Sequence, residues 1–372
     1  MRHHDLDAAR AAAMLLGVFF HASISFMATP LGWAVYDRST SPAVDAFTFV
    51  SHAFRMPVFF LLSGFFSRLL VEKRGPNDFL KQRLKRLGGP LLLFWPPLAA
   101  SFYFLWGWGR SLPDQPRPVA GGLEVPENLF IASPAHLWFI YYLLLIALGT
   151  FFVARVKVAP WMDRVVRPWL LVPATAVALL PMRTFEIETP ITFVPDVRIL
   201  GFYAIFFLAG WVLHRRPERI AGFGKHLIVR ALFAGGVLAA IVPLAERMGP
   251  ERRLFGMSHV AGCALLAIFA WTLVGLFIGL FVRFMSRERA WVAWLSDASY
   301  WVYLVHLPLC VLLQVWVARW PVWGPLKYAL VSLGTLAVCL ATYRVGVRYS
   351  WLGRLLNGPR KPVTVAPVPA RI

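Results

Sequence analysis

The chain has 372 residues, of which 59% are hydrophobic and only 15% charged. A soluble domain carries about 25% charged residues, so water is not the main solvent of this fold. The formal net charge of +20 does not mark a nucleic-acid binder, because the basic residues punctuate apolar runs as the loop residues of a membrane protein do.

Apolar runs of about 20 residues, the length a bilayer core demands of a helix, recur from Ala8 to Val347 and leave no polar stretch long enough to fold alone. Backbone groups in lipid must pair internally. The expected fold is therefore all-α, a polytopic transmembrane bundle of about ten helices. In chain order the spans fall at 8–28, 46–68, 88–106, 136–154, 168–181, 199–214, 227–245, 257–282, 291–318 and 325–346. The first run is too long for a cleaved signal, whose apolar stretch is about 7–15 residues. The fifth is short and contains Pro173. No internal repeat is visible. Residues 1–358 read as a single integral-membrane domain, and 359–372, with four prolines, as a disordered cytoplasmic tail.

Charge gives the bundle a direction. With both termini cytoplasmic, 27 of the 38 Lys and Arg fall on inner segments, the bias that orients membrane proteins. Cys263, Cys310 and Cys339 all lie in apolar runs at no metal-ligand spacing, so neither disulfides nor a metal site is expected.

Ionisable residues inside a membrane are costly and are functional candidates by default. The first span carries Arg10 and His21, eleven positions apart. That separation puts them on one helix face with about 16 Å between them along the axis. Asp7 lies one turn before Arg10 and can pair with it. The second span adds His52, Arg55 and Ser63 on one stripe, with His52 at about the depth of His21. His306 lies near the middle of the ninth span. His136 and His259 open the fourth and eighth, and a basic cluster of Arg83, Lys85 and Arg86 precedes Pro90.

Taken singly, each has an ordinary role. Arg10 is a snorkelling anchor, a lone histidine a link between helices, and Arg83 to Arg86 a positive-inside loop. His136 and His259 are then interfacial, and Ser63-Gly64 permits close packing. Trp33, Trp106 and Trp108 belong to an interfacial belt or stack on sugar rings. Taken together the groups are two-sided. A basic inner mouth suits a polyanion such as the phosphates of coenzyme A, and a buried histidine suits a general base. The 16 Å between them resembles the reach of the pantetheine arm.

The strings that carry these residues are Asp5-Leu6-Asp7-Ala8-Ala9-Arg10 with His21, Phe59-Phe60-Leu61-Leu62-Ser63-Gly64-Phe65, and Arg83-Leu84-Lys85-Arg86. They continue with His136-Leu137-Trp138-Phe139 and close with Ser299-Tyr300-Trp301-Val302-Tyr303-Leu304-Val305-His306. In this order the chain resembles the membrane acyltransferase 3 family over about residues 5–345. The resemblance implies a multi-pass protein of the bacterial inner membrane. Such a protein moves an acyl group, succinyl or acetyl, from cytosolic acyl-CoA as co-substrate to a hydroxyl of an extracytoplasmic carbohydrate such as a periplasmic glucan. It implies His21 as catalytic residue, and Arg10, Arg83 and Arg86 as the acyl-CoA site, with no bound cofactor. His306 fits a looser pattern. His52, Arg55 and His306 are supporting or acceptor-side residues that orient the base, stabilise the oxyanion or bind a succinyl carboxylate. Two other readings stay open: a transporter or flippase for an anionic or glycan substrate, and a lipid-modifying type of intramembrane acyltransferase whose key histidine would be His306.

Overall fold

A computed structural model describes residues 3–115, 133–155, 167–182, 184–248 and 254–358. Among these the chain is helical, with one isolated bridge between Met27 and Ser41 as its only strand-like pairing. The helices are α1 His4–Ser23, α2 Pro42–Arg83, α3 Gly89–Ser111, α4 Trp138–Arg155, α5 Pro168–Leu179 and α6 Val197–Leu213. They continue with α7 Glu218–Phe223, α8 Leu227–Glu246, α9 Gly256–Phe284, α10 Ala290–Val317, α11 Gly324–Thr342 and α12 Trp351–Asn357. Seven helical segments are long and apolar enough to cross a membrane. One of them, Pro42–Ser111, joins two of the expected spans, and the apolar helices Trp169–Leu179 and Val197–Leu213 are shorter. Each of the ten expected spans thus has its helix, and the fold is an all-α polytopic bundle. The tail 359–372 lies outside the described residues.

The main departure is at 69–87, expected as a basic loop. The chain stays helical to Arg83, broken only at Gly75 with φ 79°, where Pro76 starts the next turns. A π-helical turn, Leu84–Gly88, then runs directly into α3. Proline is well tolerated in a first turn, where its missing N–H costs nothing, so Pro76 and Pro90 start helices here rather than end them. Arg83 and Arg86 are consequently held on helical backbone. α1 also starts earlier than expected, at His4, and its last turn tightens into the 3₁₀ turn Ile24–Phe26.

α1 is the central helix, packed against α2, α9, α10 and α11. α2 crosses α6 at backbone contact: a Cβ on Gly64 would lie 1.9 Å from the Phe207 carbonyl oxygen, and one on Gly210 1.8 Å from that of Leu61. Small residues are what let helices approach this closely in lipid, as Ser63-Gly64 foretold. The outer helices carry the apolar belt that a bilayer requires. α8 packs on α9 and leaves Ile228, Val229, Leu232 and Phe233 exposed.

Candidate active site

α1 carries both ends of the candidate site. At its start, the Arg10 guanidinium pairs with Asp7 at 3.1 Å, donates to Ser296 Oγ at 3.3 Å and lies over the Phe66 ring. Arg83 donates to Ser67 Oγ at 2.8 Å and faces the Phe79 ring. Arg86 reaches the Asn357 carbonyl oxygen at 2.8 Å, while its own carbonyl accepts from the Tyr300 hydroxyl at 2.5 Å. The three guanidiniums sit within one another's electrostatic field. Residues from α1, α2 and the π-helical turn thus form one basic mouth.

Toward the other end of α1 lies a chamber of imidazoles. The His21 ring is partly exposed, yet both its nitrogens are buried with no hydrogen-bond partner among the described residues. His306 on α10 lies beside it, ring centroids 5.1 Å apart, and His136 lies 5.3 Å beyond His306. Carbonyl oxygens can only accept, so their positions assign the tautomers. His306 carries its proton on Nδ1, which donates to the Tyr303 and Val302 carbonyls at 2.8 and 3.0 Å. Its Nε2 is left bare and buried. His136 Nε2–H donates to the Tyr303 and Leu304 carbonyls at 3.0 and 3.2 Å, leaving Nδ1 bare. Pro308 explains the second of these contacts. A proline has no N–H for the carbonyl four residues before it, here that of Leu304, and the freed oxygen takes the His136 proton.

His136 is therefore not the interfacial residue its helix-end position suggests. It is 7% exposed and draws in the Tyr303 hydroxyl, which donates to its backbone carbonyl at 2.8 Å. His259 does remain at a helix end, half-buried, with Nε2 donating to the Leu180 carbonyl at 2.9 Å.

α2 supplies the third wall. His52 stacks on Phe20, centroids 5.5 Å apart, and donates through Nε2 to the Ile187 carbonyl at 2.7 Å. The Arg55 guanidinium lies 4.3 Å from the centre of the same Phe20 ring and is 7% exposed. The loop between α1 and α2 closes the far side. Its Trp33 stands edge-on to His21 at 5.9 Å and to Trp106 at 5.2 Å. Gln314 ties this wall to α1: its Oε1 accepts from the Trp33 indole at 2.9 Å, and its Nε2 donates to the His21 and Ala22 carbonyls at 2.8 and 3.2 Å. Those carbonyls belong to the last turn of α1, where helical partners run out. The buried ion pair of Lys327 with Asp37, 2.6 Å, anchors the loop itself.

The seven residues given catalytic, donor-binding or supporting roles from the sequence thus fall into two groups, with Arg10, Arg83 and Arg86 at the mouth, and His21, His52, Arg55 and His306 at the chamber. Sequence reasoning missed Gln314, Tyr303 and the inward turn of His136. His136 and Tyr303 carried a signal, through the strings His136-Leu137-Trp138-Phe139 and Ser299 to His306, and Gln314 carried none.

A family model described as "Acyltransferase domain" matches residues 3–344. The chain belongs to the acyltransferase 3 family. Glucans biosynthesis protein C of Salmonella paratyphi B is 25% identical to it over 374 aligned positions, covering 96% of this chain and 95% of that protein. The protein of the same name from Salmonella typhi is 25% identical over 371 positions, with the same coverage. No solved structure matches the chain. The protein is thus a multi-pass membrane acyltransferase.

Proposed function

We propose that this acyltransferase moves a succinyl or acetyl group from cytosolic acyl-CoA to a hydroxyl of an extracytoplasmic carbohydrate such as a periplasmic glucan. The observation that carries this reading is His21, an imidazole neither of whose nitrogens has a hydrogen-bond partner among the described residues, on the same helix as Arg10. The lysine and arginine bias turns both termini and the arginine mouth to the cytosol, in the bacterial inner membrane. The name of the relatives supports a glucan acceptor.

Arg10, Arg83 and Arg86 hold the donor phosphates, and the pantetheine arm runs along α1 toward His21. One His21 nitrogen takes the proton of the acceptor hydroxyl as that oxygen attacks the thioester carbonyl. The new C–O bond forms, the C–S bond breaks, and the proton passes from His21 to the leaving thiolate. While protonated, His21 needs an acceptor for its second N–H, and the bare Nε2 of His306 is its ring neighbour. Trp33 and Trp106 offer aromatic edges on the acceptor side.

The test is ester formation by the purified full chain with acyl-CoA and a glucan. His21→Ala should lower transfer by about 10²–10⁴-fold, the range for loss of a positioned general base, while the protein still inserts and melts as before. A well-folded variant with unchanged ester yield would remove His21 from the reaction. Consumption of acyl-CoA also separates transfer from the transport of a glycan, which leaves the thioester intact.

A further inference from the structure

A cavity that shares no lining residue with the chamber opens at the same end of the bundle. It lies between the loop that follows α1, the end of α3 and the end of α10, and its volume is about 210 Å³. Sites for drug-sized ligands run to about 300–1,000 Å³, so this one has room for a single ring. Tyr36, Arg38, Thr40, Asp114, Gln115 and Arg319 supply its polar wall.

The chemistry of that wall is mixed. Arg38 and Asp114 pair at 3.0 Å with side chains 76% and 70% exposed. A pair this open to water adds little to stability, and it leaves most of its N–H groups and carboxylate lone pairs unused. Asp37, also on the wall, is spent on the buried Lys327. Arg319 is exposed and makes no ion pair among the described residues. A phosphate would meet the Asp114 carboxylate as well as the arginines. A hydroxyl both donates and accepts, so a ligand rich in hydroxyls can satisfy both kinds of group at once.

The wall is also fixed before anything binds, which lowers the cost of binding. The Tyr36 phenol oxygen accepts from the Leu31 and Trp33 amides at 2.5 and 2.9 Å, and Gln115 Oε1 accepts from the Tyr36 amide at 2.7 Å. One braced loop thus carries Trp33 beside His21 and Tyr36 at the cavity. Ala318 and Arg319 lie four and five residues beyond Gln314, whose amide bonds the His21 carbonyl. That is about 6–8 Å along a helix axis, and one sugar residue of a chain spans about 5 Å by ordinary bond lengths. We infer that this cavity is a second acceptor subsite, which holds a ring of the glycan one or two units away from the ring acylated at His21. The protein then selects a glycan chain over a free sugar. This rests on the acyltransferase reading above.

The experiment gives the full chain in lipid nanodiscs an acyl-CoA and linear glucans from a single ring upward, and reads the esters by mass spectrometry. For wild type, kcat/KM should rise at least tenfold once the acceptor is long enough to reach the cavity, and then level off. Ala28→Trp fills the cavity from its exposed rim and should raise KM for the long acceptor about tenfold. Arg319→Ala should raise it about threefold. In both variants KM for acyl-CoA and the rate with a single ring should stay unchanged, the mark of lost binding rather than lost chemistry. Binding of the longest glucan to His21→Ala, with and without Ala28→Trp, gives an answer free of turnover. Equal losses for short and long acceptors, or no loss for either, would overturn the subsite, as would a wild type indifferent to chain length. Failure of the parent reading looks different: no acceptor of any length would consume the thioester.

Discussion

The two ends of α1 differ in how fully their buried polar groups are paired. At the arginine mouth the cations Arg10, Arg83 and Arg86 have protein partners: Asp7 and Ser296, Ser67, and the Asn357 carbonyl. In the chamber His21 has none, His306 and His136 each keep one nitrogen bare, and Arg55 has no anion. Each mouth cation thus keeps at least one protein partner, although Arg83 Nε is itself buried without one, as suits a site that grips and releases a soluble polyanion. The chamber leaves more of its polar atoms unpaired. Unpaired polar atoms at low local dielectric interact strongly with whatever enters, which is the condition for chemistry rather than holding.

That contrast predicts a division of kinetic labour. Arg83→Ala, and to a lesser degree Arg10→Ala, should raise KM for the acyl-CoA about tenfold or more while kcat stays within a few-fold. His21→Ala should do the reverse, with the loss in kcat. A fall of kcat in both mouth variants, with KM untouched, would mean that the two regions are not separate functions. Titrating acyl-CoA against the purified variants decides this.

A second test targets the ion pair that anchors the loop over the chamber. Lys327 and Asp37 have side chains 3% and 2% exposed. Removing one partner of such a pair costs about 3–5 kcal/mol, because the other charge stays buried alone, whereas replacing both with apolar groups is often neutral. Lys327→Met should therefore lower the melting temperature far more than Asp37→Leu with Lys327→Met together. If the double variant is the less stable, the pair is doing more than neutralising itself. The exposed end of α6 gives a contrast in scale. Arg198 beside Asp196 holds that carboxyl below the usual carboxylate range, and the same carboxyl caps the helix. That contribution is present at neutral pH and is lost as the pH falls through the lowered value.

The spans were legible because lipid imposes one length and one polarity on every helix, so that even the Pro173-containing α5 lies within two residues of its expected bounds. The elbow at Gly75 was not, since a basic stretch with Gly and Pro reads as a loop by composition, and only packing shows that it stays helical. Arg10 and His21 were legible because both lie on one helix, where spacing alone fixes their phase. Gln314 could not be found the same way. Its partners, Trp33 and the carbonyls of His21 and Ala22, lie about 280–290 residues away in sequence, and a glutamine in an apolar run has no signature until the partner helix is known. His136 misled for a similar reason: its buried acceptors lie on another helix, and one of them is freed by a proline there.

Gln314 offers the finest test of the contrast, since it belongs to neither the mouth nor the reacting groups. It is 1% exposed, and its single amide joins the aromatic wall to the end of α1. If the chamber works by holding His21 in register with what lies against Trp33, then loosening that joint should cost rate without costing donor affinity. A shift of about 1 Å at a catalytic group is worth about 10²-fold; the ring contacts of His21 with His306 and Trp33 should limit the loss to about tenfold. Gln314→Met is expected to lower kcat by that amount and leave KM for acyl-CoA unchanged. Trp33→Phe, which keeps an aromatic ring but removes the indole N–H, should lower it through the same joint. The two changes together should then cost little more than either alone, the signature of groups acting through one contact. Additive losses would mean that Trp33 serves the acceptor directly, and that Gln314 only seals the end of α1.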